Sequence, residues 1–292
     1  MNHGVKAPER TGATRLPDGR LLGWAQWGSD SGTPVLFFSG AAMGRSLGFG
    51  AEAVARLGVR LISVDRPGLG ASTPKPGRTL NDMVTDVRHL ASALALPGFS
   101  IVAFSQGAPF GLACAAAGLP QAVAVVSGQD DFNAPDTAAL LHPDVEGMVR
   151  RVGEDPAGFE STFAGMANAD ILWKLITGHS SDEDLALYTT PGFESAYRRA
   201  LREGFAQGGQ GYARDLALAM GRWPFDVARI QVPVELWYGG KDTSIVHSPD
   251  HGALLSRRIP TARLHLLPEA GGSLLWTHAE DILKSVLPSA RH

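Results

Sequence analysis

Cysteine is almost absent from this sequence of 292 residues, in which Cys114 is the only one. A single cysteine cannot form an intramolecular disulfide, which excludes a small scaffold held together by disulfides. Cys114 lies in an alanine-rich segment, residues 111–118 (GLACAAAG), for which we predict a helix. We therefore expect Cys114 to be a small core residue and not a nucleophile.

The sequence also lacks long apolar runs and an excess of positive charge. No stretch approaches the roughly 18 apolar residues of a membrane span, and residues 1–12 (MNHGVKAPERTG) lack the apolar run of a signal peptide. Lys and Arg number 26 against 29 Asp and Glu, so no basic surplus exists to attract nucleic acid. These absences predict a cytoplasmic protein that binds neither membranes nor nucleic acids.

Motifs for phosphate or metal binding are missing as well. The sequence has no glycine-rich phosphate loop, no dinucleotide fingerprint and no cluster of residues with metal-ligand spacing. We therefore expect the protein to use no cofactor and no metal.

Apolar residues make up 44% of the chain and are grouped in short runs that predict buried strands. A hairpin is predicted at 13–16 and 20–27 around the turn sequence Pro17-Asp18-Gly19. Further strands are predicted at 35–38, 60–64, 100–104, 122–126, 234–238 and 263–267, and helices at 80–94, 106–117, 250–257 and 276–287. Strands alternating with helices indicate a mainly parallel sheet of eight strands covered on both faces.

The alternation stops between residues 128 and 225, where short helical patterns rich in aromatic residues predominate. We interpret this segment as a helical lid inserted into an α/β core formed by residues 1–127 and 226–292. Some of its aromatic side chains are expected to line an apolar cleft, which predicts a small hydrophobic substrate.

The strongest local motif is Ala103-Phe104-Ser105-Gln106-Gly107, which follows a predicted strand and opens a predicted helix. A serine on such a sharp turn is held in a strained conformation with its hydroxyl exposed, as in a nucleophile elbow. The Gln106 amide then lies at a helix N-terminus, where negative charge is favoured. The alternative is an ordinary serine N-cap, which the preceding strand and the small neighbouring residues disfavour.

The chain resembles the α/β-hydrolase superfamily over nearly its whole length, and in particular its bacterial branch with a helical lid. The branch motif D-R-P-G-x-G-x-S is present at residues 65–72 (DRPGLGAS). The family's oxyanion loop, usually H-G-x, corresponds to Ser39-Gly40-Ala41. The resemblance implies that the backbone amides of Ala41 and Gln106 form an oxyanion hole.

The resemblance also implies the catalytic acid. Residues 236–242 (LWYGGKD) are similar to the family's strand-end motif W-x-G-x-x-D, which places Asp242 at the position of the triad acid. A carboxylate there would orient an imidazole and stabilise its protonated form. Asp130 or Asp131, just after the preceding strand, is the alternative acid, and a turn aspartate is the structural alternative for Asp242.

The family's histidine position is occupied by Gly272, in the segment 267–273 (LPEAGGS). The next histidine, His278, matches a non-catalytic histidine of this branch. His247 lies in the loop that follows the Asp242 strand and is the candidate to replace the base, whereas His251 matches a surface position. The remaining candidates by position are His89, after the fourth strand, and the histidines of the predicted lid, His142 and His179.

A serine hydroxyl without a base is a poor nucleophile, so three functions stay open. The first is hydrolysis of a small hydrophobic ester, lactone or thioester by an atypical triad of Ser105, Asp242 and His247. The second is a non-hydrolytic lyase, cyclase or isomerase reaction that uses the oxyanion hole. The third is binding of a small ligand without catalysis. The sequence leaves both a monomer and a homodimer open.

Overall fold

A computed structural model describes residues 4–288 of the chain. Its centre is an eight-stranded sheet in the order β1-β2-β4-β3-β5-β6-β7-β8. The pairs β1–β2 and β2–β4 are antiparallel and the remaining five pairs are parallel. The strands are β1 (Arg10–Arg15), β2 (Leu21–Trp27), β3 (Thr33–Phe38), β4 (Val59–Val64), β5 (Ser100–Phe104), β6 (Val123–Val126), β7 (Val234–Gly239) and β8 (Ala262–Leu267).

Each of the eight strands overlaps its predicted range, which confirms the mainly parallel sheet. The central strands β4, β5 and β6 are buried along their entire length, as strands covered by helices on both faces must be. The first strand differs most from its prediction, because it begins at Arg10 and pairs with β2 from Arg10 to Arg15. Its exposed, polar side chains give no apolar pattern from which the beginning could be predicted.

The helices are α1 (Ala51–Arg56), α2 (Leu80–Ala93), α3 (Ala108–Ala116), α4 (Pro135–Ala138), α5 (Pro143–Glu154), α6 (Pro156–Met166), α7 (Ala169–Gly178), α8 (Asp182–Tyr188), α9 (Pro191–Gly204), α10 (Gln210–Met220), α11 (Ala253–Arg258), α12 (Leu274–Thr277) and α13 (Ala279–Val286). Helix α2 begins with a capping box, since Thr79 and Asp82 exchange side-chain to backbone hydrogen bonds. The predicted last helix is divided at His278 into α12 and α13.

Helix α1 is absent from the sequence-based prediction. It has only six residues, and its N-cap, Gly50, adopts the left-handed conformation and provides no side-chain cap. A helix this short shows less than two turns of apolar periodicity, so the sequence carries neither a period nor a cap that indicates it.

The segment predicted as a lid contains helices α4 to α10 in the described chain, all between β6 and β7. Its aromatic side chains pack against the core at Trp276 of α12. The ring centroid of Trp276 lies 5.0 Å from that of Phe193, 5.9 Å from Tyr197 and 6.1 Å from Tyr188. These contacts attach α8 and α9 to the segment that follows β8, while the function of the insertion as a lid stays a prediction.

A buried ion network attaches the insertion to the other side of the core. The Arg66 guanidinium donates to Asp215 of α10 at 2.6 Å, and Arg78 donates to the other oxygen of the same carboxylate. Arg66 also donates to the carbonyls of Ser39 at 2.6 Å and Gly40 at 2.8 Å. The side chains of Arg66 and Asp215 have no solvent exposure, so the pair fixes the loop after β3 relative to α10.

Cys114 lies in α3 and is fully buried, as expected for a core residue. Burial raises the pKa of its thiol to about 12, which keeps it protonated and unreactive. Within residues 4–288, no helix combines the length and the apolar character needed to cross a membrane.

Candidate active site

Ser105 lies at the carboxyl end of β5, where the chain turns through a short 3₁₀ helix (Ser105–Gly107) into α3. Its φ of 51° is in the left-handed region, which is strained for a residue with a side chain. A Cβ on Gly107 would lie 2.3 Å from the Phe38 carbonyl oxygen, so the second glycine of the motif is required by packing. The geometry is that of the predicted elbow and not that of an ordinary N-cap.

Ala103 stands where the usual motif has glycine. Its Cβ is accommodated by Gly111 of α3, because a Cβ on Gly111 would come within 2.8 Å of it. The helix and the strand therefore approach closely although the first glycine of the motif is missing.

His247 connects Ser105 to Asp242 by two hydrogen bonds. The distance from His247 Nε2 to Ser105 Oγ is 2.9 Å, and that from His247 Nδ1 to Asp242 Oδ2 is 2.6 Å. The side chains of His247 and Asp242 are 11% and 3% exposed, so both bonds lie in a largely dehydrated site. The structure thus joins Ser105, His247 and Asp242 in one chain of hydrogen bonds, the arrangement that a nucleophile, a base and an acid have in a catalytic triad.

The loop after β7 positions His247. Asp242 Oδ1 accepts from the Ser244 amide at 3.0 Å, which directs Oδ2 towards the imidazole. The His247 amide donates to the Ser244 carbonyl, and the Ser248 amide donates to Gly128 at the end of β6. Because of this tight turn, His247 lies beside Ser105 although it is only five residues beyond Asp242.

Gly272 lies directly against the acid. A Cβ at this position would be 2.8 Å from Asp242 Oδ1 and 2.9 Å from Oδ2. The Gly272 amide donates to Asp184 Oδ2 at 2.9 Å, and the Ser273 amide donates to Asp184 Oδ1 at 2.7 Å. The loop after β8 is therefore held by a carboxylate of helix α8, and its glycine leaves the space that Asp242 fills.

We expect Gly272→His to lower kcat/KM for an aryl ester by about 10²-fold or more, because displacing a catalytic group by about 1 Å has an effect of that size. The new Cβ must displace the Asp242 carboxylate, and with it His247. The measurement is steady-state hydrolysis. Gly147→His is the matched control, since a Cβ on Gly147 meets no atom within 4 Å. Activity equal to wild type in Gly272→His would contradict the close packing of Gly272 on the acid.

Asp130, an alternative acid, does not contact His247. It is fully buried and accepts hydrogen bonds from the Asp131 amide at 2.6 Å and from the Ser248 hydroxyl at 3.3 Å. Burial raises its pKa from 3.8 to about 6, partly offset by the Asp131 amide and Arg258. Asp131 pairs with Arg258 at 2.8 Å. Asp130 therefore contacts the loop that carries His247 through Ser248, and Asp131 contacts α11.

The raised pKa of Asp130 predicts how stability depends on pH. The folded protein retains the Asp130 proton up to about pH 6, whereas the unfolded chain releases it near 3.8, so this group loses its stabilising contribution as pH rises between these values. Asp130→Asn should weaken the fall in unfolding free energy between pH 4 and 6, by up to about 3 kcal/mol. Urea unfolding at several pH values checks this, with the exposed Asp136→Asn as control. Superimposable curves for wild type and Asp130→Asn would contradict the burial effect.

The other candidate histidines are not bonded to Ser105. His278 Nδ1 bonds to Thr277 Oγ1 at 2.9 Å, and His142 Nδ1 accepts from the Asp144 amide at 3.3 Å at the start of α5. His251 is partly buried in a left-handed turn, with φ of 53°. His179 lines the cavity, and its backbone carbonyl accepts a hydrogen bond from the Thr243 hydroxyl. His89 lies in α2, which precedes β5 in the chain.

The oxyanion loop follows β3. Among the described residues, the Ala41 amide has no hydrogen-bond partner, and Ala42 adopts a φ of 48°. The Ser39 hydroxyl donates to the Met43 carbonyl at 2.9 Å and so closes the loop in place of the usual histidine. Ala41, Ser105 and Gln106 all line one cavity.

The cavity over Ser105 has a volume of about 290 Å³. This is at the lower limit of small-molecule sites, which span about 300–1,000 Å³. Most of its lining is apolar, and it is contributed by α5 to α10 and by the loop after β7: Met148, Phe163, Leu172, Leu175, Ile176, Tyr188, Tyr197, Tyr212, Leu216, Ile245 and Val246.

A family model described as "Alpha/beta hydrolase family" matches residues 35–284. The chain belongs to the alpha/beta hydrolase family. It is therefore a hydrolase-family enzyme, and the matched region includes Ser105, Asp242 and His247. No curated protein sequence matches the chain significantly.

Solved structures show the same fold at low sequence identity. A hydrolase from Pseudomonas aeruginosa is 20% identical, with a TM-score of 0.71 and coverage of 96% of this chain and 99% of that one. An esterase from a Rhodococcus species is 18% identical, with a TM-score of 0.63 and coverage of 97% and 100%. An enol-lactonase from Burkholderia xenovorans is 17% identical, with a TM-score of 0.64 and coverage of 94% and 100%.

Sequence reasoning missed three residues that shape the site of this hydrolase-family enzyme. Asp184 holds the loop of Gly272, Arg66 holds the oxyanion loop, and Gln129, whose amide donates to the Ser105 carbonyl at 3.2 Å, lines the cavity. Arg66 belongs to the DRPG motif at residues 65–68, and the need of a buried arginine for an acidic partner is the signal that could have indicated its role. Asp184 and Gln129 have no motif, since only the tertiary structure brings them to the serine.

Proposed function

We propose that the protein is a serine carboxylic-ester hydrolase that acts on a small hydrophobic ester, lactone or thioester. The observation that carries the proposal is the position of His247, which is within hydrogen-bonding distance of both Ser105 and Asp242. A base so placed meets the requirement that a weak serine nucleophile be activated by a neighbouring group. The triad is atypical because its histidine comes from the loop after β7 and not from the loop after β8.

The proposed reaction forms and breaks an acyl-enzyme. Ser105 Oγ attacks the ester carbonyl while His247 Nε2 takes its proton, and Asp242 stabilises the imidazolium that results. The amides of Ala41 and Gln106 stabilise the oxyanion of the tetrahedral intermediate. His247 then protonates the leaving alcohol or thiol. Water, activated by the same imidazole, releases the acid and restores Ser105.

The cavity supports a small substrate with an apolar part. Its volume of about 290 Å³ and its lining by side chains such as Phe163, Leu172 and Leu216 favour short acyl or aryl groups. The resemblance in fold to an esterase and an enol-lactonase is compatible with ester or lactone hydrolysis.

The two alternatives have less support. Both the non-hydrolytic reaction and the silent binding protein presuppose that Ser105 has no base. His247 offers an imidazole within hydrogen-bonding distance of the serine, which argues against that premise. A cytoplasmic location and the choice between monomer and homodimer stay predictions from the sequence.

Trapping of the acyl-enzyme tests the proposal. The protein is mixed with p-nitrophenyl butyrate, quenched in acid within one turnover and digested for mass spectrometry. We expect an added butyryl group on the peptide that contains Ser105, and none in Ser105→Ala. Ser92→Ala is the matched control, because Ser92 is an exposed residue of α2. The proposed mechanism would be overturned if wild type hydrolysed the ester without an adduct on Ser105 and Ser105→Ala hydrolysed it as fast.

A further inference from the structure

The charged residues of the cavity are all acidic. Asp144, Asp184 and Asp242 contribute to its lining, and no lysine or arginine does so within the described chain. Asp242 bonds to His247 and Asp184 accepts two backbone amides, so no lysine or arginine neutralises either carboxylate. An anionic group that enters this small, mainly apolar space would face like charges and would lose its hydration without gaining a cation.

The cavity also contains phenol hydroxyls without partners. Tyr188 and Tyr197 are 5% and 3% exposed, and neither hydroxyl makes a hydrogen bond to another group of residues 4–288. Tyr238, by contrast, is equally buried outside the cavity and donates to the Gly128 carbonyl at 3.1 Å. Buried hydroxyls are normally satisfied, so the phenols of Tyr188 and Tyr197, two of the three tyrosines that line the cavity, are available to a ligand.

Both phenols remain hydrogen-bond donors over the whole working pH range. Burial, the neighbouring Tyr197 and the carboxylates of Asp184 and Asp242 raise the pKa of Tyr188 well above its usual value. Burial and Asp184 raise the pKa of Tyr197 in the same direction. The ring centroids of Tyr188 and Tyr197 lie 5.6 Å apart, so the two rings are neighbours in the lining of the cavity.

Two glutamine side chains extend this polar lining. The side-chain carbonyl oxygens of Gln106 and Gln129 are buried without a hydrogen-bond partner, and both residues line the cavity. Carbonyl oxygens accept from a hydroxyl or amide of a substrate, and they offer no hydrogen-bond donor to a carboxylate.

We propose that the cleft selects uncharged esters whose apolar part carries a hydrogen-bonding oxygen, recognised by Tyr188 and Tyr197, and that it rejects esters bearing a carboxylate. The inference rests on the proposed ester hydrolysis and adds the substrate class. A neutral hydrogen bond in the cleft corresponds to a gain of about three- to tenfold in kcat/KM. The unpaired anion corresponds to a loss of at least about tenfold.

Three p-nitrophenyl esters of nearly equal size test the substrate class. The pentanoate is apolar, the 4-oxopentanoate carries a neutral carbonyl, and the hemisuccinate replaces the methyl ketone by a carboxylate. Spontaneous hydrolysis is measured with Ser105→Ala and subtracted. We expect kcat/KM to decrease in the order 4-oxopentanoate, pentanoate and hemisuccinate, with the factors given above.

The double variant Tyr188→Phe/Tyr197→Phe tests the assignment of the phenols. We expect its ratio of kcat/KM for 4-oxopentanoate over pentanoate to fall to about one, since only the hydrogen bond distinguishes the two esters. Tyr238→Phe is the matched control and should keep the wild-type ratio, because its hydroxyl bonds to Gly128 outside the cavity. A ratio of two substrates does not depend on the fraction of protein that is folded.

The outcomes separate the inference from the proposed function. Cleavage of all three esters at similar kcat/KM, or an unchanged ratio in the double variant, would overturn the inference and leave ester hydrolysis intact. The absence of any enzymatic cleavage, together with no acyl adduct on Ser105, would overturn the proposed function and the inference with it.

Discussion

Replacement of His247 by alanine is expected to lower kcat for p-nitrophenyl butyrate by about 10⁶-fold, as the loss of a triad histidine does in a serine protease. The variant retains Ser105 on its elbow and the amides of Ala41 and Gln106, so a residual rate of about 10³–10⁴ over the uncatalysed reaction should survive. KM should change little, because the imidazole contributes to the transition state more than to ground-state binding.

Two other histidines provide controls for this variant. His251 lies four residues further along the same loop, and His278 occupies the position between α12 and α13. Neither makes a hydrogen bond to Ser105 in the structure, so His251→Ala and His278→Ala should keep kcat within a small factor of wild type. A large loss in either variant, with activity retained in His247→Ala, would show that His247 is not the base.

Replacement of Asp215 by alanine is expected to lower the free energy of unfolding by about 3–5 kcal/mol, the usual cost of removing one partner from a buried ion pair. The substitution leaves the guanidinium groups of Arg66 and Arg78 buried with no carboxylate between them. Because Arg66 also holds the carbonyls of Ser39 and Gly40, the oxyanion loop should lose order together with the attachment of α10. Urea unfolding followed by circular dichroism measures the loss.

An exposed ion pair of the same chemistry is the control for Asp215→Ala. Asp170 pairs with Arg198 at 2.8 Å, and its side chain is 73% exposed. Solvent-exposed pairs contribute at most about 1 kcal/mol, so Asp170→Ala should leave the unfolding midpoint nearly unchanged. Equal destabilisation by the two substitutions would show that the buried network contributes no more to the free energy of unfolding than an exposed ion pair does.

The sheet and the elbow could be predicted from the sequence because both depend on local patterns. Buried strands such as β5 are continuous apolar runs, and helix α2 carries its own capping box. The strained turn at Ser105 requires small residues at fixed offsets, which a sequence shows directly. The family motif then identified Asp242, since the end of β7 fixes its position.

The position of His247 beside Ser105 could only be a hypothesis from the sequence, because it depends on a loop. A serine and an acid at strand ends are placed by the sheet, whereas His247 reaches Ser105 through a turn whose path depends on the hydrogen bond from the Ser248 amide to the distant Gly128 carbonyl. The same holds for Asp184, which contacts Gly272 from a helix 88 residues away in sequence. No pattern in the sequence marks such long-range pairings.

The central claim is that His247 activates Ser105, and the rate of phosphonylation of the serine measures this step without ester turnover. The second-order rate constant for a fluorophosphonate should fall by at least about 10³-fold in His247→Ala, with the wild-type adduct located on Ser105, because an unassisted hydroxyl is a poor nucleophile. An equal rate constant in wild type and His247→Ala would contradict the account.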